Sequence, residues 1–214
     1  MSRFSPAPSA IMLNPQQLDY PICATQRPWD ARLARRLVAP LKDTWVTPNH
    51  LTTVRLMVGL GAAAAFTPGT FFWSNIAALL MVLSNFLDHT DGELARMSGK
   101  ISRFGHLYDL ASDAAVTILV FIAMGIGVGM AGLGMLAGTA IAGIFFMRLR
   151  IEEKVGKSGT QQASFGGFET EDVLYLIPLG TLCNAVGTFL PVAAVCAPLY
   201  LLWVTIEYRR VVAG

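Results

Sequence analysis

From Thr117 to Met147 the chain reads TILVFIAMGIGVGMAGLGMLAGTAIAGIFFM, without a single charged residue. A run this long exceeds the roughly 20 apolar residues a helix needs to cross a bilayer. It divides into the ends of two apolar segments, Leu107–Gly129 and Gly132–Met147, with a short connection near Ala131. Working outward, further apolar segments lie at Leu51–Phe66, Phe71–Leu87, Val173–Phe189 and Pro191–Ile206. The whole chain agrees with this reading. Of its 214 residues, 54% are hydrophobic and only 14% charged, against about 25% charged in soluble domains. That composition excludes a disordered chain, a coiled coil and an ordinary soluble enzyme. A net charge of +2 is too small to point to nucleic acid. The pattern predicts an all-α integral membrane protein with six transmembrane helices in one membrane domain, residues 28–214.

Ahead of the first span, residues 1–27 are rich in Pro, Ser and Gln and are expected to be irregular. They contain no apolar core behind a basic start, so no cleaved signal peptide is expected. From Pro28 to Trp45, Trp29, Leu33, Leu37 and Leu41 recur every four residues, with Arg32, Arg35, Arg36 and Lys42 between them. One apolar and one basic face predict an amphipathic helix lying in the membrane interface. Glycines 125, 129, 134 and 138 repeat at the spacing that lets membrane helices pack closely. Cys23, Cys183 and Cys196 are widely separated and form no metal-ligand or disulfide pattern. They are expected as packing residues.

The charges are partitioned. All 16 Lys and Arg fall in the N-terminal region up to Arg55, in two polar connections (88–105 and 148–172) or after Ile206. The other connections, near Thr67–Thr70, Ala131 and Leu190, are uncharged. With six spans every basic residue lies at one side of the membrane, which the positive-inside rule makes cytoplasmic. Both termini then face the cytoplasm, with a bacterial inner membrane as the expected location.

Residues 88–113 read DHTDGELARMSGKISRFGHLYDLASD. Asp88 and Asp91 are three apart and Asp109 and Asp113 four apart, so each pair shares a helix face. A connecting segment of a helical hairpin's length can fold one pair against the other. Four converging carboxylates repel and are costly to bury unpaired, unless divalent cations sit among them. All-oxygen ligation suits Mg²⁺, Mn²⁺ or Ca²⁺, and two such ions neutralise a pyrophosphate during phosphoryl transfer. Gly92, Ala95 and Gly105 remove bulk where a ligand approaches the backbone. Arg96, four after Gly92, suits a phosphate.

The pattern D-x-x-D-G-x-x-A-R-x(8)-G-x-x-x-D-x-x-x-D resembles the motif of the CDP-alcohol phosphotransferases, and Asp88, Asp91, Gly92, Ala95, Arg96, Gly105, Asp109 and Asp113 match all eight positions. Thr47-Pro48-Asn49-His50-Leu51-Thr52-Thr53-Val54-Arg55 is similar to the T-P-N-x-L-T-x-x-R segment that opens the first span in many members. The resemblance implies transfer of a substituted phosphate from a CDP-linked donor to an alcohol's hydroxyl, with release of CMP, in phospholipid biosynthesis. It implies that Asp88, Asp91, Asp109 and Asp113 hold the metal, Mg²⁺ or Mn²⁺ and two ions in all. Asp113 would also be the catalytic base, Gly92, Ala95, Arg96 and Gly105 would line the CDP pocket, and Asn49, Thr52 and Arg55 would close it. It implies a homodimer. A carboxylate beside two cations is a weak base, so the acceptor oxygen must be held close.

The acceptor is read from the segment after the fourth span, GGFETEDVLYL from Gly166 to Leu176. Members using inositol phosphate carry a stretch like G-G-I-I-E-R-P-E-R-L, and Thr170 and Val173 stand where its arginines fall. That counts against a phosphorylated acceptor. Glu169, Glu171 and Asp172 gather there instead. They stabilise a helix N-terminus, or they recognise an amino or quaternary-ammonium alcohol. Arg148 and Arg150 lie nearby and suit an anionic acceptor. CDP-diacylglycerol is the expected donor, with a CDP-aminoalcohol as the alternative. A small ion or solute transporter would place charges near mid-span in paired halves, a pattern this chain lacks.

Overall fold

The computed structural model describes residues 29–100, 102–155 and 177–213. The segment 1–27, Cys23 and the acidic trio Glu169, Glu171 and Asp172 lie outside them. Every regular element described is helical. In chain order they are α1 (Trp29–Val38), which runs into a single 3-10 turn (Ala39–Leu41), α2 (Pro48–Phe66), α3 (Phe71–Ser98), α4 (Arg103–Gly127), α5 (Ala131–Val155), α6 (Ile177–Leu182) and α7 (Val186–Ala213). Among the described residues, four helices are long and apolar enough to cross a membrane: α3, α4, α5 and α7.

Local sequence accounts for the ends. Thr47 is extended and Pro48 is the first residue of α2, where its missing N–H would find no partner anyway. His50 Nδ1 accepts the Thr47 N–H at 3.3 Å. Gly69 turns the chain between α2 and α3 at φ 62, and a Cβ there would collide with the Gly127 carbonyl at the end of α4. Of the four spaced glycines, Gly134 and Gly138 pack α5 on α4, whereas Gly125 faces the Met130–Ala131 backbone of the turn and Gly129 (φ 73) has open space around it. A Cβ on Gly134 would strike the Phe121 carbonyl, and one on Gly138 would lie 3.0 Å from the Phe121 Cβ. The backbones of α4 and α5 therefore meet directly.

Three expectations are corrected. The polar stretch 88–105 is largely helix rather than connection. Helical hydrogen bonding is indifferent to side-chain polarity, so α3 continues to Ser98 and the chain reverses only at Gly99 (φ 66). Ser102 then caps α4, accepting the Gly105 N–H at 2.9 Å. Secondly, the turn expected near Leu190 lies at residues 183–185. Asn184 adopts φ 52, a conformation Asn tolerates better than most residues, and Ala185 N–H donates to Gly180 O at 2.8 Å. Pro191 and Pro198 sit inside α7. Thirdly, Cys183 and Cys196 are exposed, one in that turn and one on an outward face of α7 beside exposed Val192, Val195 and Leu199. A face turned to lipid needs no protein partner.

The hydrophobic core gathers Ala62, Phe66, Ala77, Met81, Phe121, Met124 and Leu190, at the end of the helices remote from the aspartates. There α2 packs on both α3 and α4, α4 on α5, and α5 on α7. Beyond the turn that joins them, α3 and α4 make little direct contact, and the gap between their polar ends is the site. α1 packs on α3 through buried Ala34 and Val38, leaving Leu33 and Leu37 exposed.

Candidate active site

Three helices supply the site. α3 carries Asp88 and Asp91, α4 carries Asp109 and Asp113, and α2 inserts between them with Thr52 and Arg55, both buried. Folding one aspartate pair against the other is thus not a matter of two helices meeting. α2 stands between the pairs and joins them chemically. Arg55 Nη1 donates to Asp88 Oδ1 and to Asp113 Oδ1. Its Nη2 donates to Asp109 Oδ1 at 2.9 Å and to the Asp109 carbonyl at 3.2 Å. Asp91, outside this grip, accepts from Thr52 Oγ1 at 2.8 Å. Ser84 Oγ donates to the Arg55 carbonyl at 3.2 Å and fixes the register of α2 on α3.

One carboxylate oxygen each from Asp88, Asp91 and Asp109 lie within 4.8 Å of one another. Three hard oxygen donors this close suit a divalent cation of the Mg²⁺ or Mn²⁺ kind. The residues therefore fit the metal that the motif implies. Asp113 is held to the same centre through Arg55.

Beside the carboxylates opens a cavity of about 260 Å³ lined by Thr52, Asp91, Gly92, Ala95, Arg96, Gly105 and Asp109, together with Pro48, Lys100, Ser102 and His106. Five of the residues expected around the CDP group thus share one wall. Asn49 stands at its edge, since a Cβ on Gly105 would lie 2.9 Å from Asn49 Oδ1. Gly92 has a similar use: its bare face lets the Arg96 guanidinium fold back, within 3.4 Å of where a Cβ would be. Arg55 is not part of the lining. It lies with the carboxylates.

The motif does not single out Glu93, Lys100, Ser102 or His106. Glu93 is buried, and its Oε1 accepts from Arg96 Nη2 at 2.9 Å. Lys100 Nζ donates to the carbonyls of Thr44 and Val46 at 3.1 and 3.3 Å, fastening the segment before α2 to the α3–α4 turn. His106 follows Gly105 and precedes Asp109 by one helical turn, which is the signal that could have placed it.

Arg148 and Arg150, expected near the acceptor, sit at the end of α5. Arg148 Nη2 donates to Tyr200 Oη at 2.8 Å, its guanidinium carbon stands 5.5 Å from the Trp203 ring centre, and it pairs with Glu207 at 3.4 Å. The Arg150 guanidinium lies over the Phe146 ring.

The match to known proteins covers most of the chain. Residues 45–208 match the family model described as CDP-alcohol phosphatidyltransferase. The chain is 28% identical over 187 residues to an archaetidylinositol phosphate synthase of Pyrococcus horikoshii, covering 86% of this chain and 92% of that one. It is 37% identical over 79 residues to a CDP-diacylglycerol–glycerol-3-phosphate 3-phosphatidyltransferase of Cereibacter sphaeroides, covering 36% of each. Against cholinephosphotransferase 1 of Danio rerio it is 35% identical over 92 residues, covering 38% of this chain and 23% of that one. The matched family is generally dependent on a divalent metal, in keeping with the carboxylate set between α3 and α4. This chain belongs to the CDP-alcohol phosphatidyltransferase family, membrane transferases of phosphate-containing groups that act in phospholipid biosynthesis.

Proposed function

We propose that this protein transfers a substituted phosphate from CDP-diacylglycerol to the hydroxyl of an acceptor alcohol and releases CMP. The observation that carries the reading is the convergence of Asp88, Asp91 and Asp109 oxygens against a cavity lined by the glycines, alanine and arginine of the same motif. Family membership alone leaves donor and acceptor open, because the named relatives differ in both.

In this mechanism Asp88, Asp91, Asp109 and Asp113 would hold two divalent ions, Mg²⁺ or Mn²⁺, which would supply neutralisation of the diphosphate charge. The remaining work falls to the chain. Gly92, Ala95 and Gly105 admit the CDP group, and Arg96, steadied by Glu93, binds a phosphate oxygen in a charge-assisted bond. Thr52 and Asn49 border the same pocket. Asp113, oriented by Arg55, accepts the proton of the acceptor hydroxyl. That oxygen bonds to the phosphorus bearing the diacylglycerol, and the bond from that phosphorus to CMP breaks with its electron pair leaving on CMP. Arg148 and Arg150, with Glu169, Glu171 and Asp172, are the candidate acceptor residues. The acidic trio favours a neutral or amino alcohol, and a CDP-aminoalcohol donor is the second reading.

The same proposal covers topology. α2 and one further crossing, added to the four long apolar helices, complete six within a single membrane domain, 28–214. α1 lies in the interface, its exposed Leu33 and Leu37 toward lipid. The site and both termini face the cytoplasm of a bacterial inner membrane, and the protein is a homodimer.

Purified protein is to be supplied with CDP-diacylglycerol or CDP-choline, several alcohols, and Mg²⁺ or Mn²⁺. Donor-dependent CMP release that disappears in Asp91→Ala supports the reading. Ion flux with no CMP from any donor overturns it. For topology, Cys183 should react with an impermeant maleimide from outside the cell, and a cysteine introduced at 160 should not.

A further inference from the structure

Arg55 is far more enclosed than the three aspartates it binds, its side chain 4% exposed against 32%, 35% and 45% for Asp88, Asp109 and Asp113. Its two terminal nitrogens reach three carboxylates from two helices and a backbone carbonyl as well. No side chain of the cavity wall is held so fully. The planar guanidinium fork is suited to such multiple contact, and a lysine ammonium is not.

The grip divides the four aspartates unequally. Asp88 and Asp113 each give an oxygen to the same Arg55 nitrogen and do not line the cavity. Asp91, which Arg55 does not touch, lines the cavity with Thr52 on one oxygen. Asp109 does both: one oxygen takes Arg55, and the residue lines the cavity. Asp88 and Asp109 are also two of the three residues whose oxygens converge as cation donors. One fixed positive charge and the divalent ions therefore draw on the same carboxylates.

We propose that Arg55 is a resident counter-ion that competes with divalent ions for the aspartates, so that it weakens their binding while holding the carboxylate set together. The inference rests on the metal site of the functional reading above and adds a determinant of its affinity. Two forces set the sign. A positive charge a few ångströms from a divalent ion repels it, and carboxylate oxygens bonded to Arg55 are less available as ligands. Without the guanidinium the carboxylates repel one another, so the set should become more dependent on divalent ions for its stability.

The test is equilibrium Mn²⁺ binding to the full-length protein in detergent, followed by the electron paramagnetic resonance of free Mn²⁺ with no donor present. Arg55→Gln is expected to bind Mn²⁺ about tenfold more tightly than wild type, or more. Its thermal unfolding should move down in chelator and rise further than that of wild type when Mn²⁺ is restored. Unchanged or weaker binding in Arg55→Gln overturns the proposal, while CMP release by the wild type leaves the functional reading standing. Absence of Mn²⁺ binding in the wild type overturns both. Should Arg55→Gln fail to fold, Arg55→Lys decides. Its single ammonium cannot span three carboxylates, so Mn²⁺ binding should tighten by roughly threefold, and unchanged binding overturns the proposal.

Discussion

Two arginines hold helices together in this protein, and they do so by different physics. Arg55 joins α2 to α3 and α4 through three carboxylates. Arg148 joins α5 to α7 by lying over the rings of Tyr200 and Trp203, with one carboxylate, Glu207, at 3.4 Å. The first is a cluster of charges in which each member needs the others. The second is mostly packing, with one ion pair at a partly exposed helix end. Charge concentrated beyond what packing requires sets the first apart as the candidate chemical machinery, while the contacts of the second tie α5 to α7.

Four variants put this contrast at risk. The largest effect is expected from Asp113→Asn. If Asp113 is the base, CMP release should fall by roughly 10²–10⁴-fold while thermal unfolding changes little. An Asp113→Asn variant that kept its activity would reduce the cluster to a structural one. Next is Arg55→Ala in chelator. Breaking a buried pair costs about 3–5 kcal/mol, and the aspartates' exposure puts this case near the lower figure, read as a loss of thermal stability. Thr52→Val removes the bond to Asp91 with little change in shape. A hydrogen bond to a charged group contributes about 1.5–3 kcal/mol, so half-maximal activity should need about tenfold more Mn²⁺. The smallest effect is expected from Arg148→Met. Cation–π contacts at exposed sites contribute about 0.5–1 kcal/mol, visible as a slight fall in unfolding temperature. A loss as large as that of Arg55→Ala would erase the distinction between the two arginines.

The same contrast separates what could be read in the chain from what could not. The charge-free run 117–147 announces membrane helices by length alone, and the spacing of Asp88, Asp91, Asp109 and Asp113 announces a carboxylate cluster, of which the oxygens of the first three converge. Both are local properties. The turn at Asn184 is masked because a proline a few residues on looks like a stronger break, although α7 contains two. The polar stretch after Asp88 looks like a loop because polarity and helix formation are independent, and Gly99 is the residue that ends α3. Cys196 looks like a core residue because small apolar side chains are usually buried in water-soluble proteins, a rule that the outward face of an apolar helix does not obey.

The order of residues is enough to establish that the chain is helical and apolar, where its α2–α3 and α4–α5 turns fall, and which eight residues match the family motif. Each of these depends on side chains within a few turns of one another. Only the folded molecule establishes that α3 and α4 stand apart with α2 between them, and that Arg55 lies with the carboxylates while Arg96 and Lys100 line the cavity. Those facts depend on residues more than thirty positions apart. Their meeting is fixed by helix packing, which no local spacing encodes.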